Sequence, residues 1–202
     1  MSRDPLPMSR LPIPTVRDRA VLHDGFVHFE MVTLDGLVHG RPAELKREVH
    51  DHGNGVAVLA FDPGRRTAVL VRQVRVAALM AGTDGLLIEA AAGIVDPGED
   101  PADTARREAM EEAGLTLADL VYIGCPFSSP GAVTERVHLF LAEIDHGHAR
   151  GNGGGVAHEH EELEVLELPL ATLAAMADAG EILDMKTHLL VETLRRRRPE
   201  LF

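Results

Sequence analysis

Apolar and polar positions alternate from Val21 to Val38, VLHDGFVHFEMVTLDGLV, with Asp24-Gly25 and Asp35-Gly36 punctuating the run. A period of two between turn dipeptides predicts antiparallel strands joined by hairpins. Glu44 to Asp51, ELKREVHD, reads as a further short strand. The pattern then changes. From Gly53 to Leu79 the chain holds two strands on either side of Asp62-Pro63-Gly64, each so apolar that both faces must be covered. Strands of that kind imply a sheet lying between layers of helix. After Asp84-Gly85 the run LLIEAAAG gives another strand, interrupted by the carboxylate of Glu89. A buried charge without a counter-charge is costly, so Glu89 needs a partner.

The period lengthens to that of a helix between Pro101 and Ala113. Asp100 suits the N-cap, proline suits the first helical position because its missing N–H would be unpaired there, and Gly114 suits a left-handed stop. At about 100° per residue Ala102, Ala105, Ala109 and Ala113 form an apolar stripe, while Glu108, Glu111 and Glu112 gather on another side. Beyond it, Asp119 to Pro126 and Glu135 to Ile144 read as strands bracketing SSPGAVTE. The stretch DHGHARGNGGGVAHEHEE reads as a mobile loop, LEVLELP as a strand, LATLAAMADAGE as a helix, and Asp184 as the cap of a last helix, MKTHLLVETLRRRR. No helix directly follows the glycine-rich stretch, which argues against a phosphate-binding P-loop. Its histidines are expected at the surface rather than on a metal.

Residues 1–17 carry four prolines without periodicity and read as a flexible tail, 18–52 as a small β subdomain and 53–202 as the main domain. A chain of 202 residues with 45% hydrophobic content suffices for one good core. The net charge of −12 argues against a nucleic-acid surface, which needs clustered Lys and Arg. No run approaches a membrane span and the N-terminus has no apolar signal core, so a cytoplasmic protein is expected. The single cysteine, Cys125, excludes an intrachain disulfide and reads as a buried, inert thiol. The terminal Arg195–Arg198 run suits the negative end of a helix dipole.

The acidic side of the central helix is where chemistry enters. Like charges three and four residues apart repel, so the cluster costs stability unless positive charge sits among it. Arg107, four residues before Glu111, is expected to hold that carboxylate in a bidentate pair. Glu108 and Glu112 remain, one turn apart, and a hard divalent cation such as magnesium is their natural complement. A solvated helix face is the plain alternative for an arbitrary acidic run.

The spacing is more specific than that. Gly93, Glu99, Arg107, Glu108, Glu111, Glu112, Gly114 and Leu115 stand in the order G-x5-E-x7-R-E-U-x-E-E-x-G-U, where U is a bulky aliphatic residue. This resembles the signature of the Nudix hydrolases, departing only in the small Ala109. REVHDHGNGVAVL, RTAVLVRQVRVAAL, LIEAAAGIVDPGE, SSPGAVTE, GGGV, EHEELEVLELP and GEILDMKT extend the resemblance over residues 20–195. Together they look like the ADP-ribose pyrophosphatase branch of that family, its GDP-mannose pyrophosphatase members in particular.

The resemblance implies an α/β/α sandwich on a mixed sheet, with an N-terminal antiparallel β subdomain exchanged across a homodimer. It implies Mg²⁺-dependent hydrolysis, with Mn²⁺ able to substitute, of the diphosphate in a nucleoside diphosphate sugar. Carried over position by position, Glu108, Glu112, Glu99, Glu161 and the Ala92 carbonyl would surround metal, Glu159 would act as base, and Glu111 and Arg107 would support catalysis. Arg72 and Arg75 would contact phosphate, with Glu89 beside them, Arg47 would reach the substrate of the partner subunit, and Glu135 would lie near the sugar. Two rival readings stay open: a noncatalytic sensor of nucleotide sugars on the same fold, and housecleaning of oxidised nucleoside triphosphates. The intact glutamate set disfavours the first, and the N-terminal β segment and SSPGAVTE disfavour the second.

Overall fold

The structure is a computed structural model that describes residues 11–145, 151, 153–155 and 162–202. It divides into two compact units, residues 1–52 with 129–134 and residues 53–128 with 135–202.

In the first unit, β1 (Thr15–Asp24), β2 (His28–Val38) and β3 (Arg41–Asp51) form an antiparallel sheet in the order β1-β2-β3. The hairpin expected at Asp24-Gly25 is present. The turn expected at Asp35-Gly36 is not: both residues stay in β2, opposite Glu44 and Ala43. The chain reverses instead at His39 and Gly40, with φ of 50° and 77°. Positive φ at both central residues is the condition for a two-residue hairpin whose twist matches its strands. Part of the expected tail lies outside the described residues, and β1 begins within the remainder, at Thr15. Residues 129–134 join this unit through His50, whose N–H donates to the Ala132 carbonyl at 2.8 Å and whose carbonyl accepts from Thr134 N at 3.0 Å.

The second unit is built on a mixed sheet. Its strands are β4 (Gly55–Asp62), β5 (Thr67–Val74), β6 (Leu86–Glu89), β7 (Ala91–Ile94), β8 (Val121–Gly124), β9 (Val137–Glu143) and β10 (Glu164–Pro169). The main order is β10-β5-β4-β9-β8, with β6 on β5 and β7 on β4, and β4 and β9 run parallel. Its helices are α1 (Val76–Met80), α2 (Pro101–Ala113), α3 (Leu170–Asp178) and α4 (Met185–Arg197).

Alternation along β4 separates two cores, as expected for strands covered on both faces. Ala57, Leu59 and Phe61 face one core with Leu173 of α3 and Leu190 and Leu194 of α4. Val56, Val58 and Ala60 face the other with Ala105, Ala109 and Ala113 of α2. Full burial of a leucine such as Leu59 or Leu190 contributes about 1.5–3 kcal/mol. The small Ala109 is itself buried, so an alanine stripe lets α2 lie close to the sheet.

One expected strand is cut short. β5 ends at Val74 and Val76–Met80 form the short helix α1, with no buried residue. A short apolar run carries no period of its own, which is why the sequence reads as continuous strand there.

The ends of α2 follow local chemistry. Asp100 accepts a hydrogen bond from Ala102 N at 2.8 Å, Pro101 opens the helix, and Gly114 closes it at φ 67°. Replacing Asp100 by alanine is expected to cost about 1 kcal/mol and by glycine only a few tenths, measured by urea unfolding. Equal losses in the two variants would show that the carboxylate acts otherwise than as a cap.

Candidate functional site

The site is built where the acidic side of α2 meets β7. Glu112 is buried, 2% exposed, and its Oε2 accepts the Ala92 N–H at 2.9 Å. One turn earlier, Glu108 lies against Gly93 so closely that a Cβ on that glycine would stand 1.9 Å from Glu108 Oε1. The glycine that opens the signature is therefore the space into which the glutamate side chain projects.

Arg107 is a hub rather than half of a bidentate pair with Glu111. Its Nη1 donates to Glu108 Oε1 at 2.9 Å and to Glu111 Oε2 at 3.0 Å. Its Nε and Nη2 reach Glu99 more loosely, at 3.5 and 3.4 Å. Partial burial opposes the Arg107 charge, but contacts with Glu99, Glu108 and Glu111 outweigh it and push the pKa above the usual arginine value. Glu99 is held below the usual carboxylate range by a hydrogen bond from Thr104 and then by Arg107.

This donor set suits a hard divalent cation. It offers carboxylate oxygen alone, three of the carboxylates share one guanidinium, and the fourth, Glu112, is withdrawn from water. Among the described residues no three Asp, Glu, His or Cys side chains already converge on one point. Glu159 and Glu161, expected as base and metal ligand, lie outside the described residues, as do His158 and His160.

Glu89 has the partners its burial demands. At 1% exposure it takes Arg75 in a two-bond pair, Nε to Oε1 and Nη2 to Oε2, both at 2.8 Å. Lys186 Nζ adds a third bond to Oε2 at 2.8 Å and another to Asp184 Oδ1 at 2.8 Å. Asp184 Oδ2 accepts from the backbone N–H of Thr187 at 2.9 Å, and Thr187 Oγ1 accepts the Ala90 N–H at 2.7 Å. The start of α4 is thereby locked to the junction of β6 and β7. Burial alone would raise the Glu89 pKa, but Arg75 and Lys186 overcome it and bring it down to about 2.

The structure thus joins two of the residues expected at substrate, Arg75 and Glu89. Arg72 instead forms an exposed ion pair with Glu164, opposite it on β10. Glu135, half-buried, has a carboxylate oxygen 3.2 Å from where a Cβ on Gly55 would stand. Arg47 is exposed on β3 in the first unit, its Nη1 donating to the Lys46 carbonyl. Cys125 is a free, half-buried thiol whose pKa is raised by burial.

Sequence reasoning assigned no role to Lys186. The signal was a carboxylate in an apolar strand and a lysine just past a helix N-cap, but nothing local connects positions 97 residues apart.

The family model for the NUDIX domain matches residues 51–185. GDP-mannose pyrophosphatase of Salmonella arizonae is 41% identical over 184 residues, which covers 90% of this chain and 94% of that protein. The GDP-mannose pyrophosphatase of Salmonella typhimurium is 40% identical over 91% of this chain and 95% of its own, and that of Cronobacter sakazakii 40% over 93% and 97%. In three dimensions the crystal structure of an ADP compounds hydrolase is similar at a TM-score of 0.73, over 96% of this chain and 98% of that one. At 19% identity that likeness bears on the fold alone.

The Glu89 network makes a pH prediction with a definite sign. Its carboxyl is more acidic folded than unfolded, so the stabilisation is present above about pH 4.5 and is lost as pH falls towards about 2. That loss should be on the order of 3 kcal/mol. Glu89→Gln should cost about 3 kcal/mol at neutral pH, because it leaves the half-buried cations Arg75 and Lys186 facing a neutral amide, and should flatten acid unfolding in the same window. Thermal unfolding across pH checks both; an unchanged acid profile in the variant would contradict the assignment.

Proposed function

The chain belongs to the Nudix family, and from that premise we propose that it is a nucleoside diphosphate sugar pyrophosphatase of the cytoplasm, active as a homodimer with Mg²⁺, for which Mn²⁺ can substitute. The observation that carries this reading is the crowding of Glu99, Glu108 and Glu111 around Arg107, with Glu112 buried one turn from Glu108. Such an arrangement costs folding stability, and a cation shared with a diphosphate gives it a purpose. The substrate class is supported by relatives at 40–41% identity that are GDP-mannose pyrophosphatases. On GDP-mannose the products are GMP and mannose 1-phosphate; ADP-ribose would give AMP and ribose 5-phosphate. Among the described residues no helix is long and apolar enough to cross a membrane.

When bound, the cation would supply charge neutralisation on the phosphoryl oxygens and acidify a coordinated water. Glu108, Glu112, Glu99, Glu161 and the Ala92 carbonyl are the groups to hold it. Arg107, bonded to Glu108 and Glu111, keeps these mutually repelling carboxylates in fixed positions. Arg75 is pinned by two of its five N–H donors to Glu89, leaving others for a phosphate oxygen. Arg72 would assist at phosphate, Glu135 would accept from sugar hydroxyls, and Arg47 would reach the partner's substrate. Glu159 takes the proton of the attacking water as its oxygen bonds to one phosphorus and the bridging P–O bond breaks. Water is consumed, and a nucleoside monophosphate, a sugar phosphate and, with both phosphates as dianions, two protons leave.

Exposed apolar side chains on the β1–β3 sheet, Val16, Val21, Leu22, Leu37 and Val38, favour a dimer that covers them.

Glu112→Gln keeps shape and removes charge, and should lower kcat on GDP-mannose by on the order of 10³ with an unchanged circular dichroism spectrum. Near-normal turnover with Mg²⁺ present would refute the assignment. Arg47→Ala should raise KM, and mixing it with Glu112→Gln protomers should restore one intact site per mixed dimer. Mixtures no more active than the sum of their parts would count against a shared site.

A further inference from the structure

We propose that the glycine strap formed by Gly151, Gly153, Gly154 and Gly155 is a positioning element of this site, acting on the last turn of α2 and so on the placement of Glu111 and Glu112. The proposal rests on the metal-dependent reading above and deepens it.

A helix leaves its last four carbonyls without intrahelical donors. In α2, Gly114 N bonds to the Met110 carbonyl and Leu115 N to that of Ala109. Three of the carbonyls that follow are taken by the strap: Gly155 N donates to Glu111 O at 3.1 Å, Gly154 N to Glu112 O at 2.8 Å and Gly151 N to Gly114 O at 2.7 Å. The backbone of the two signature glutamates is thus gripped from outside the helix.

The fit is steric as well as polar. A Cβ on Gly153 would stand 2.8 Å from both the Glu112 carbonyl oxygen and the Ala113 carbonyl carbon. Backbone inside a packed helix cannot move aside as a side chain can. A Cβ on Gly114 would in turn come within 2.4 Å of the Gly151 oxygen. Gly153, Gly154 and Gly155 all take positive φ, 55°, 95° and 85°, where side chains are disfavoured. Leu163 N then bonds back to Gly154 O at 3.2 Å, and β10 begins at Glu164. The strap is therefore fixed to β10 on one side and to α2 on the other, and locks the glutamate-bearing turn to the sheet from its far end. Ala92 N–H holds the Glu112 carboxylate; the strap holds its main chain. An ordinary loop crossing would need neither three bonds to carbonyls within four residues of a helix end nor glycine at each contact.

Gly153→Ala is the test, read by electron paramagnetic resonance with Mn²⁺ alone, and by steady-state kinetics on GDP-mannose. Loss of a group that orients metal ligands typically weakens metal affinity by about 10–100-fold. The expected result is a Mn²⁺ dissociation constant raised about tenfold or more and a reduced kcat, with KM and the far-ultraviolet circular dichroism spectrum little changed. Hydrogen exchange at the Gly154 and Gly155 amides should quicken. Gly180→Ala, at φ 73° with open space around its Cβ position, carries the backbone strain without the clash and should leave Mn²⁺ affinity as it was. Should Gly153→Ala fail to fold, Gly154→Ala, whose Cβ would meet only ordinary contact at 3.7 Å, reads the same quantities in milder form. Wild-type Mn²⁺ affinity and kcat in the folded strap variant would overturn the proposal. Glu112→Gln, measured in parallel, separates the two readings: if it loses Mn²⁺ while the strap variant does not, only the strap idea fails. If it binds Mn²⁺ as the wild type does, the metal assignment itself falls and the strap proposal with it.

Discussion

Electrostatic repulsion within a single helical segment is the constraint around which the second unit is arranged. Glu108, Glu111 and Glu112 follow one another within two turns of α2, and Glu99 joins them from the preceding loop. Left to themselves they would splay or destabilise the helix. Three features keep them together: the Arg107 hub, the hollow at Gly93 that receives Glu108, and the Ala92 N–H that fixes Glu112. The last two depend on α2 lying close to β7, and that closeness depends on a helix face of alanines. A bulkier stripe would leave the core intact in kind but lift the carboxylates off the strand.

A second charged network lies on the β6 and α4 side, where Glu89 binds Arg75 and Lys186. Replacing a buried ion pair by apolar residues is often neutral or stabilising, so its presence says little about stability by itself. Its placement says more. Glu112 also contributes to raising the Arg75 pKa, so the guanidinium feels both clusters at once. Arg75 is thus pinned by Glu89 within electrostatic reach of Glu112, a carboxylate proposed to hold metal.

Legibility followed the range of the interactions. The limits of α2 were readable because Asp100, Pro101 and Gly114 act within a turn of themselves, and the two-faced sheet because Val56 to Phe61 announce burial on both sides. The second hairpin was misplaced because Asp35-Gly36 is as good a turn dipeptide as any, and only the pairing of β2 with β3 shows that reversal waits for His39 and Gly40. Helix α1 was hidden in a short apolar run without a period. In the site, Glu89's need for a partner was legible; that Lys186 supplies part of it was not, since that bond is made by tertiary folding alone. The same holds for Arg107, whose pairing with Glu111 is local but whose reach to Glu99 depends on the path of the loop before the helix. The glycine-rich stretch read as a mobile loop, and Gly151, Gly154 and Gly155 within it are bonded to the end of α2.

On the function proposed above, these carboxylates are crowded because they share a cation that grips a diphosphate. Anomalous diffraction from crystals grown with Mn²⁺ and a nonhydrolysable nucleoside diphosphate sugar tests it most directly. Manganese peaks bounded by Glu108 and Glu112, with the diphosphate oxygens on their open side, are the expected outcome. Peaks elsewhere, or none while the glutamates face bulk water, would contradict it.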